Sequence, residues 1–460
     1  MHSPPDSVHV EQAQEISPHE IEHDFVKEEK NVSQDPFATS IDGGTQYRSL
    51  SWWRGGLIMI AETISLGILS LPSVLSRLGL VPGLILIVGI GIIATYTGYV
   101  IGQFRLRYPR VHSFADAGEI LFEPLGWGKV GKEVFSAAQV IYAVFIMGSH
   151  LLTWTILMNS VTGHAACTIV WSVVGLALFM LASIPRTLRS VSWLCLISFT
   201  SIVAAVFITM VDVGVNPVPG AHPAATKTVE FSVAFNAVAN IAFGYDSHTT
   251  FFTFISEFKD PRDFPKALYL LQAVDITLYV LVAAVIYSFA GDNVASPAIN
   301  SAPNPLVRKI AWGIAIPTVL VAGVIYSHFA SKTLYVRLFR NTRHLTARTP
   351  FSYGVWIALN FLLWLLAWVI AESIPNFNSL LSLMSALFAS WFSFGLSGVF
   401  WLFLHWGGIR SGGSRKWALA GVNWGVVGFA VCVFGVGLWS SGRAIHEQEG
   451  GGSWSCRDNA

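Results

Sequence analysis

Eleven stretches of about 20 mostly apolar residues follow one another along this chain, separated by short segments that carry charge, proline or glycine. A helix of about 20 apolar residues is long enough to cross the hydrocarbon core of a bilayer. The predicted spans are residues 55–75, 81–103, 134–159, 166–184, 190–213, 231–256, 267–290, 306–330, 353–373, 377–406 and 417–441. The pattern therefore predicts an all-α, polytopic membrane protein with about 11 transmembrane helices.

Composition supports this prediction and removes several classes of function. Hydrophobic residues make up 53% of the 460 positions and charged residues only 12%, which is about half the charged share of a typical soluble domain. With 28 basic and 27 acidic residues, the chain lacks the positive charge that binding to nucleic acid requires. A soluble enzyme, a nucleic-acid-binding protein and a disordered scaffold are therefore excluded. We find no metal-binding or catalytic motif and no phosphate-binding loop, so we expect neither an enzyme nor a bound cofactor or metal.

The distribution of lysine and arginine predicts the orientation in the membrane. With the amino terminus in the cytosol, 20 of the 28 basic residues lie near the spans on the cytosolic side and only 6 lie on the opposite side. Cytosolic loops are the ones that carry such an excess. We therefore expect a disordered cytosolic tail at residues 1–50, a transmembrane domain at residues 51–441, and a flexible non-cytosolic tail at residues 442–460.

The four cysteines add little at this stage. They show no paired spacing, and three of them lie inside or at the edge of apolar runs. We interpret Cys167, Cys195, Cys432 and Cys456 as buried thiols.

The first span contains a carboxylate followed by residues that weaken a helix. Glu62 lies eight residues past Arg54, about 12 Å into the span, where an ionised carboxylate costs about 2.5 kcal/mol or more. Ser65 and Gly67 lower the helix propensity next to it, and Pro72 cannot donate a backbone hydrogen bond. These features predict that the helix unwinds here and that its freed backbone groups line a cavity. The alternative is a continuous helix whose small residues pack against a neighbour.

The sixth span carries a similar interruption, with Asn240, Gly244, Asp246 and His248 near its centre. The two interruptions therefore stand first in two sets of five spans, and these sets cross the membrane in opposite directions. Glycine-interrupted segments at matching positions of two inverted halves point to a transporter's midplane binding site. The amino end of a half-helix attracts a carboxylate, and freed carbonyl groups can receive an ammonium.

Several segments resemble a known family. These are residues 62–72 (ETISLGILSLP), 93–103 (IATYTGYVIGQ), 114–118 (FADAG), 148–150 (GSH) and 259–267 (KDPRDFPKA). In this order they resemble the fungal neutral amino-acid permeases of the amino acid/auxin permease family, over residues 50–440. The resemblance implies the 5+5 inverted-repeat fold of the amino acid, polyamine and organocation superfamily, with broken first and sixth helices and one appended helix. It also implies proton-coupled uptake of neutral amino acids.

The resemblance further implies which residues meet the substrate. The unwound backbone of the first and sixth spans would bind the amino and carboxylate groups, and the third span would face the site. The candidate substrate-binding residues are Thr63, Ile64, Ser65, Gly67, Ile68, Ala242, Phe243, Gly244, Tyr245, Tyr142 and Ser149. The aromatic rings of Phe243 and Tyr245 would shape the pocket for the substrate side chain. The eighth span would add Tyr326 and Ser327.

Proton coupling requires an intramembrane group that changes its protonation during transport. The intramembrane candidates are Glu62, Asp246, His150, Asp275 and His328, and we favour the first three. Glu62 is the first choice because it abuts the break and because burial penalises its charged form. The alternative for Glu62 is a permanently neutral carboxyl that holds the unwound segment. We expect Asp246 to pair with His150 or with a substrate ammonium. Asp275 lies on an unbroken span, so we interpret it as a structural polar contact.

The leading hypothesis is a proton-coupled symporter of neutral amino acids that works by alternating access, in the plasma membrane rather than the vacuolar membrane. Its partners would be the amino acid, protons and the lipid bilayer. Two alternatives remain open: a vacuolar amino-acid transporter, and a membrane receptor or sensor that binds an amino acid with little or no transport.

Overall fold

The computed structural model describes residues 50–186, 191–340, 342, 344, 349–409, 413–447 and 452–459. The predicted tail at residues 1–50 lies outside these residues except for Leu50. The α-helices are α1 (Trp52–Thr63), α2 (Gly67–Leu78), α3 (Leu80–Arg107), α4 (Phe114–Phe122), α5 (Gly128–Thr162), α6 (Thr168–Ala182), α7 (Val191–Val215), α8 (Phe231–Gly244), α9 (Phe251–Glu257), α10 (Phe264–Ala290), α11 (Pro305–Leu338), α12 (Pro350–Ser373), α13 (Phe377–Met384), α14 (Leu396–His405) and α15 (Gly413–Glu447).

The all-α, polytopic fold predicted from the sequence is confirmed. In the described part of the chain, eight helices or continuous helical segments are long and apolar enough to cross a membrane, and the bent pair α1 and α2 makes a ninth. The other two predicted spans correspond to the shorter helix α6 and to the interrupted pair α8 and α9. Each of the 11 predicted spans therefore has a helical counterpart.

Side chains at the membrane surface begin several of these helices. Ser113 accepts a hydrogen bond from the Asp116 amide at the start of α4, and Asn304 caps α11 in the same way. Thr349 and Asn376 cap α12 and α13. Each cap satisfies one of the amides that have no partner inside the first turn of a helix.

The first predicted break is confirmed. Helix α1 ends at Thr63, α2 begins at Gly67, and the two axes differ in direction by 57°. The Ser65 amide turns back to the Thr63 carbonyl at 3.0 Å, so the backbone leaves the helical path between the two half-helices. Pro72 lies inside α2, beyond the bend.

The sixth span is interrupted where its glycine predicts. Helix α8 ends at Gly244, residues 245–247 are not helical, and a single turn of 3₁₀ helix leads into α9. His248 in this turn is buried, and its imidazole lies 2.9 Å from the Thr97 hydroxyl and 3.0 Å from the Ala94 carbonyl oxygen. These contacts fix the interruption against α3.

The tenth span contains an unpredicted feature. Between α13 and α14 the backbone forms a π-helix over Ser385–Gly395. π-Helical turns are rare and often occur at functional sites, since the wider turn changes which side chains face inward. Here the π-helix carries Ser390 and Ser393, which are both buried.

The interpretation of all four cysteines as buried thiols is wrong. Cys167 and Cys456 form a disulfide across 289 residues of sequence, and Cys432 is an exposed free thiol, whereas Cys195 is a buried one. The disulfide joins the start of α6 to the carboxyl-terminal segment. Spacing along the chain does not reveal a pair that folding brings together.

The carboxyl-terminal segment, residues 452–459, also differs from the expectation of a flexible tail. Helix α15 continues to Glu447. The Asn459 amide donates to the Thr155 hydroxyl on α5 at 2.9 Å, and the Trp454 and Trp368 rings meet edge to face at 5.2 Å. These contacts and the disulfide hold the segment against α5, α6 and α12.

Candidate functional site

The two interrupted helices meet at their breaks. A Cβ atom added at Gly67, at the start of α2, would lie only 2.8 Å from the Cα atom of Gly244 at the end of α8. Real Cβ atoms essentially never approach another atom this closely. The absence of a side chain at Gly67 therefore allows the two unwound segments to lie in direct contact.

A cavity lies beside this contact, and the space between its lining atoms, including the part that is open to solvent, is about 610 Å³. The lining residues come from α1, α2, α5, α7, α8, α11 and the two breaks. They are Ala61, Glu62, Thr63, Ser65, Leu66, Gly67, Tyr142, Ile146, His150, Cys195, Ser198, Phe243, Asp246, Val321, Ala322, Ile325 and Tyr326.

The structure brings many of the candidate residues together in this cavity. Of the candidate substrate-binding residues, those that line it are Thr63, Ser65, Gly67, Phe243 and Tyr142, and all three candidate proton-coupling residues line it as well. The candidates that do not line it are Ile64, Ile68, Ala242, Gly244, Tyr245 and Ser149, which are all buried in the surrounding protein.

Tyr245 does not point toward the cavity, where the resemblance placed it. Its ring lies 5.2 Å from the ring of Tyr279 on α10. Its hydroxyl oxygen lies 2.9 Å from the position of a Cβ atom added at Gly91 on α3. The chain turns at the end of α8, so two adjacent residues face opposite sides: Asp246 faces the cavity, and Tyr245 faces the protein behind it.

Asp246 is bound by two hydroxyl groups. Tyr142 on α5 donates to one carboxylate oxygen, and Ser393 of the π-helix donates to the other. The expected pairing of Asp246 with His150 is not seen: the described partners of the Asp246 carboxylate are the hydroxyls of Tyr142 and Ser393. Two donors on one carboxylate stabilise its ionised form.

Glu62 lies at the end of α1 and opens on the cavity. The Thr250 side chain, from the turn before α9, lies close to this carboxyl group, and its hydroxyl donates to the Ser247 carbonyl oxygen at 2.9 Å. Asp246, in contrast, accepts hydrogen bonds from two hydroxyl groups.

Residues from α7 and α11 complete the cavity, and the candidate substrate-binding residues did not include them. Cys195 and Ser198 come from α7, and Val321, Ala322 and Ile325 come from α11. Tyr326, which the resemblance suggested, lines the cavity beside them, whereas Ser327 donates to Asn360 on α12 at 2.9 Å. These residues lie in uniformly apolar runs, so no sequence signal separates them from ordinary packing residues. Ser393 lacked a signal for the same reason.

Acidic side chains line the cavity, whereas lysine and arginine are absent from its described lining. Among the described residues that line it there are two carboxyl groups, Glu62 and Asp246, and no lysine or arginine. The positive counterpart comes from the backbone: the first amides of α2 have no partner within the helix, and the helix dipole places partial positive charge there. The carboxyl ends of α1 and α8 present carbonyl groups with the opposite partial charge.

These features define a class of protein. A polytopic helical membrane protein whose two interrupted helices meet beside a cavity with two carboxyl groups has the arrangement of a secondary transporter that binds its solute at broken helices. Comparison with known proteins agrees with this class. The sequence profile of the family described as "Transmembrane amino acid transporter protein" matches residues 48–440. The chain belongs to this family, and the family is one of transporters, not of enzymes.

Individual relatives resemble the chain over most of its length. The "N amino acid transport system protein" of Neurospora crassa is 34% identical over 417 residues, which cover 88% of this chain and 87% of the relative. The "Amino acid transporter AVT1H" of Arabidopsis thaliana is 27% identical, over 84% of this chain and 88% of the relative. A solved structure of a nucleobase–cation symporter in a closed conformation is similar with a TM-score of 0.49 and 14% identity, over 87% of this chain and 94% of that chain.

Proposed function

We propose that this amino acid transporter is a proton-coupled symporter of neutral amino acids that works by alternating access. The observation that carries the proposal is the charge of the cavity, which holds two carboxyl groups, Glu62 and Asp246, and neither lysine nor arginine among its described lining residues. An amino acid enters as a zwitterion, so the site must satisfy one negative group and one positive group.

The two breaks supply partners for both groups. The substrate carboxylate binds the free amides at the start of α2, near Gly67, because the helix dipole favours an anion there and no cationic side chain competes for it. The ammonium binds the terminal carbonyl groups of α1 and α8 together with the carboxylate of Asp246. The Tyr142 and Ser393 hydroxyls hold that carboxylate in position.

The second carboxyl group, that of Glu62, provides the binding site for the coupled proton. With Asp246 ionised and a zwitterion bound, an ionised Glu62 would leave two negative charges beside one ammonium in a site of low polarity, which is strongly unfavourable. Glu62 therefore takes up a proton as the amino acid binds. Proton and substrate then cross the membrane together.

The side-chain pocket favours neutral substrates. Most of the lining contributed by α5, α7, α8 and α11 is apolar or aromatic, including Ile146, Phe243, Val321, Ile325 and Tyr326, with His150 and Ser198 as polar exceptions. A charged substrate side chain would lose its hydration there without gaining a partner. Apolar and aromatic groups lose no hydrogen bonds and fill the space between the rings.

The breaks also provide the movement that alternating access requires. The 57° bend between α1 and α2 and the non-helical residues 245–247 let the half-helices of each pair change their relative directions without bending a continuous helix. Each half-helix can then close one side of the site in turn. The cavity lies where these moving parts meet.

The disulfide supports the proposed orientation. Cys167 and Cys456 lie on the membrane side opposite the predicted cytosolic loops, and disulfides persist in oxidising compartments. The disulfide therefore supports a carboxyl terminus on the non-cytosolic side and an amino terminus in the cytosol, which in the proposed plasma-membrane location places the carboxyl terminus at the exterior. A vacuolar location would place the same segment in the lumen.

The proposal is tested by measuring the uptake of labelled amino acids at a series of external pH values. Three proteins are compared: wild type, Glu62→Gln and, as a matched control, Glu123→Gln at a solvent-exposed site beyond α4. We expect wild type and the control to take up more neutral amino acid as the external pH falls, because the Glu62 carboxyl is loaded with its proton from outside. Glu62→Gln is permanently neutral, so its uptake should respond to pH clearly less than that of wild type and the control.

Two results would count against the proposal. Wild-type uptake that changes neither with external pH nor on addition of a protonophore would exclude proton coupling. Binding without accumulation would favour the receptor alternative over a transporter.

A further inference from the structure

A second polar cluster lies behind the interruption of the sixth span, on the side away from the cavity. Gln272, Asp275 and Tyr279 share one face of α10 and are all buried. This face meets Tyr245, which follows the end of α8 and is buried as well. The proposed function uses none of these four side chains.

One hydrogen bond ties this cluster to the break. The Tyr279 hydroxyl donates to the Gly244 carbonyl at 2.7 Å. Gly244 is the last residue of α8, and the proposed function assigns the terminal carbonyls of this helix to the substrate ammonium. The position of the break and the packing of the cluster therefore depend on each other.

The remaining polar atoms of the cluster have no hydrogen-bond partner. Within the described part of the chain, no group donates to either carboxylate oxygen of Asp275, and the Tyr245 hydroxyl and both amide atoms of Gln272 are also unpaired. The interpretation of Asp275 as a structural polar contact is therefore wrong. A buried polar group without a partner is rare in proteins and calls for a physical reason.

Within the part of the chain that the structure describes, no charged group compensates Asp275. The ionisable groups that face it are the phenols of Tyr245 and Tyr279. The helices packed against α10 are α1, α2, α3 and α7, and no charged group of their described residues acts on Asp275. An ionised carboxylate in such a place is far less stable than a neutral carboxylic acid. Asp275 therefore carries a proton in this conformation.

We propose that Asp275 is a second proton-carrying residue of the transport cycle, in addition to Glu62. Its carboxyl group holds a proton while Tyr279 binds the Gly244 carbonyl and the break packs against α10. When the sixth-span half-helices move, that contact opens, water reaches Asp275, and the O–H bond breaks to leave a carboxylate and a hydrated proton. The same group takes up a proton from water on the other side before the break packs again. This inference rests on the proposed function.

Counting protons per amino acid tests the inference. In proteoliposomes with the membrane voltage held at zero, each coupled proton raises the limiting accumulation about tenfold for a pH difference of one unit. Two proton-carrying residues predict about 100-fold accumulation by wild type and about 10-fold by Asp275→Asn. The rate at which Asp275→Asn exchanges labelled for unlabelled substrate without a pH gradient should stay within about twofold of the wild-type rate. This result would show that the variant folds and binds substrate.

The outcomes are distinct. Equal accumulation by wild type and Asp275→Asn would overturn the role of Asp275 and leave the proposed function intact. A wild type that accumulates nothing from a pH gradient would instead overturn the proposed function.

A measurement on the wild type alone keeps the inference testable if Asp275→Asn does not fold. Infrared spectroscopy of protein labelled with ¹³C-aspartate detects the carbonyl stretch of a protonated aspartic acid. We expect such a band at neutral pH that a substrate gradient diminishes as the protein turns over. Its absence throughout the transport pH range would overturn the inference.

Discussion

The contact between the two breaks makes Gly67→Ala an informative substitution. The added methyl carbon would lie 2.8 Å from the Cα atom of Gly244, whereas ordinary contacts begin at 3.4 Å. The two backbones must therefore separate by at least about 0.6 Å to restore ordinary contact. Neither side can relieve the overlap by rotating a side chain, because both atoms are fixed to backbone. Overpacking of this kind costs about 1–3 kcal/mol.

This separation acts directly on the substrate, because the amides at the start of α2 and the carbonyls at the end of α8 must hold one amino acid between them. If the substrate-bound state bears this cost of about 1–3 kcal/mol and the free state relaxes, substrate affinity falls by about 5- to 150-fold. Equilibrium binding of a labelled neutral amino acid to purified protein measures the loss. Gly313→Ala on α11 is the matched control, since a Cβ atom there meets nothing within 4 Å. Wild-type affinity in Gly67→Ala would refute the proposed site.

Two further predictions follow from the contacts of the described residues. Tyr142→Phe removes a hydroxyl donor from the Asp246 carboxylate. Since a hydrogen bond to a charged group contributes about 1.5–3 kcal/mol, we expect substrate affinity to fall about 10-fold or more while the melting temperature changes little. Unchanged affinity would show that the Asp246 carboxylate does not bind the substrate ammonium. Cys456→Ser removes the disulfide, which typically contributes about 2–4 kcal/mol, so its melting temperature should fall by several degrees whereas that of Cys432→Ser should not. A membrane-impermeant reductant followed by an impermeant maleimide should label Cys456 in intact cells, and labelling only after permeabilisation would place the carboxyl terminus on the other side.

The helix breaks were predictable because their sequence conflicts with its surroundings. Glu62, Ser65 and Gly67 interrupt a run that is otherwise apolar, and a lipid-facing helix tolerates such residues only where protein or water surrounds them. Gly244 and Asp246 interrupt the sixth span in the same way. At both places the local composition alone carries the information.

The parts that depend on packing between distant segments were not predictable. The π-helix over Ser385–Gly395 has the composition of an ordinary transmembrane segment, and the partner of Cys167 lies near the other end of the chain. The direction of Tyr245 depends on how the chain turns after α8, which residue types do not specify. The sequence could not show that Asp275 lacks a hydrogen-bond partner among the described residues, because this depends on every helix that packs around it.

The central claim is that the backbone at two helix breaks holds the amino acid. Cryo-electron microscopy of the protein in lipid nanodiscs with a bound neutral amino acid tests it most directly. We expect density for the substrate beside Gly67, with its carboxylate within hydrogen-bonding distance of the first amides of α2 and its ammonium at the end of α8 and at Asp246. Substrate density elsewhere, with the two breaks unoccupied and closed against each other, would contradict the account.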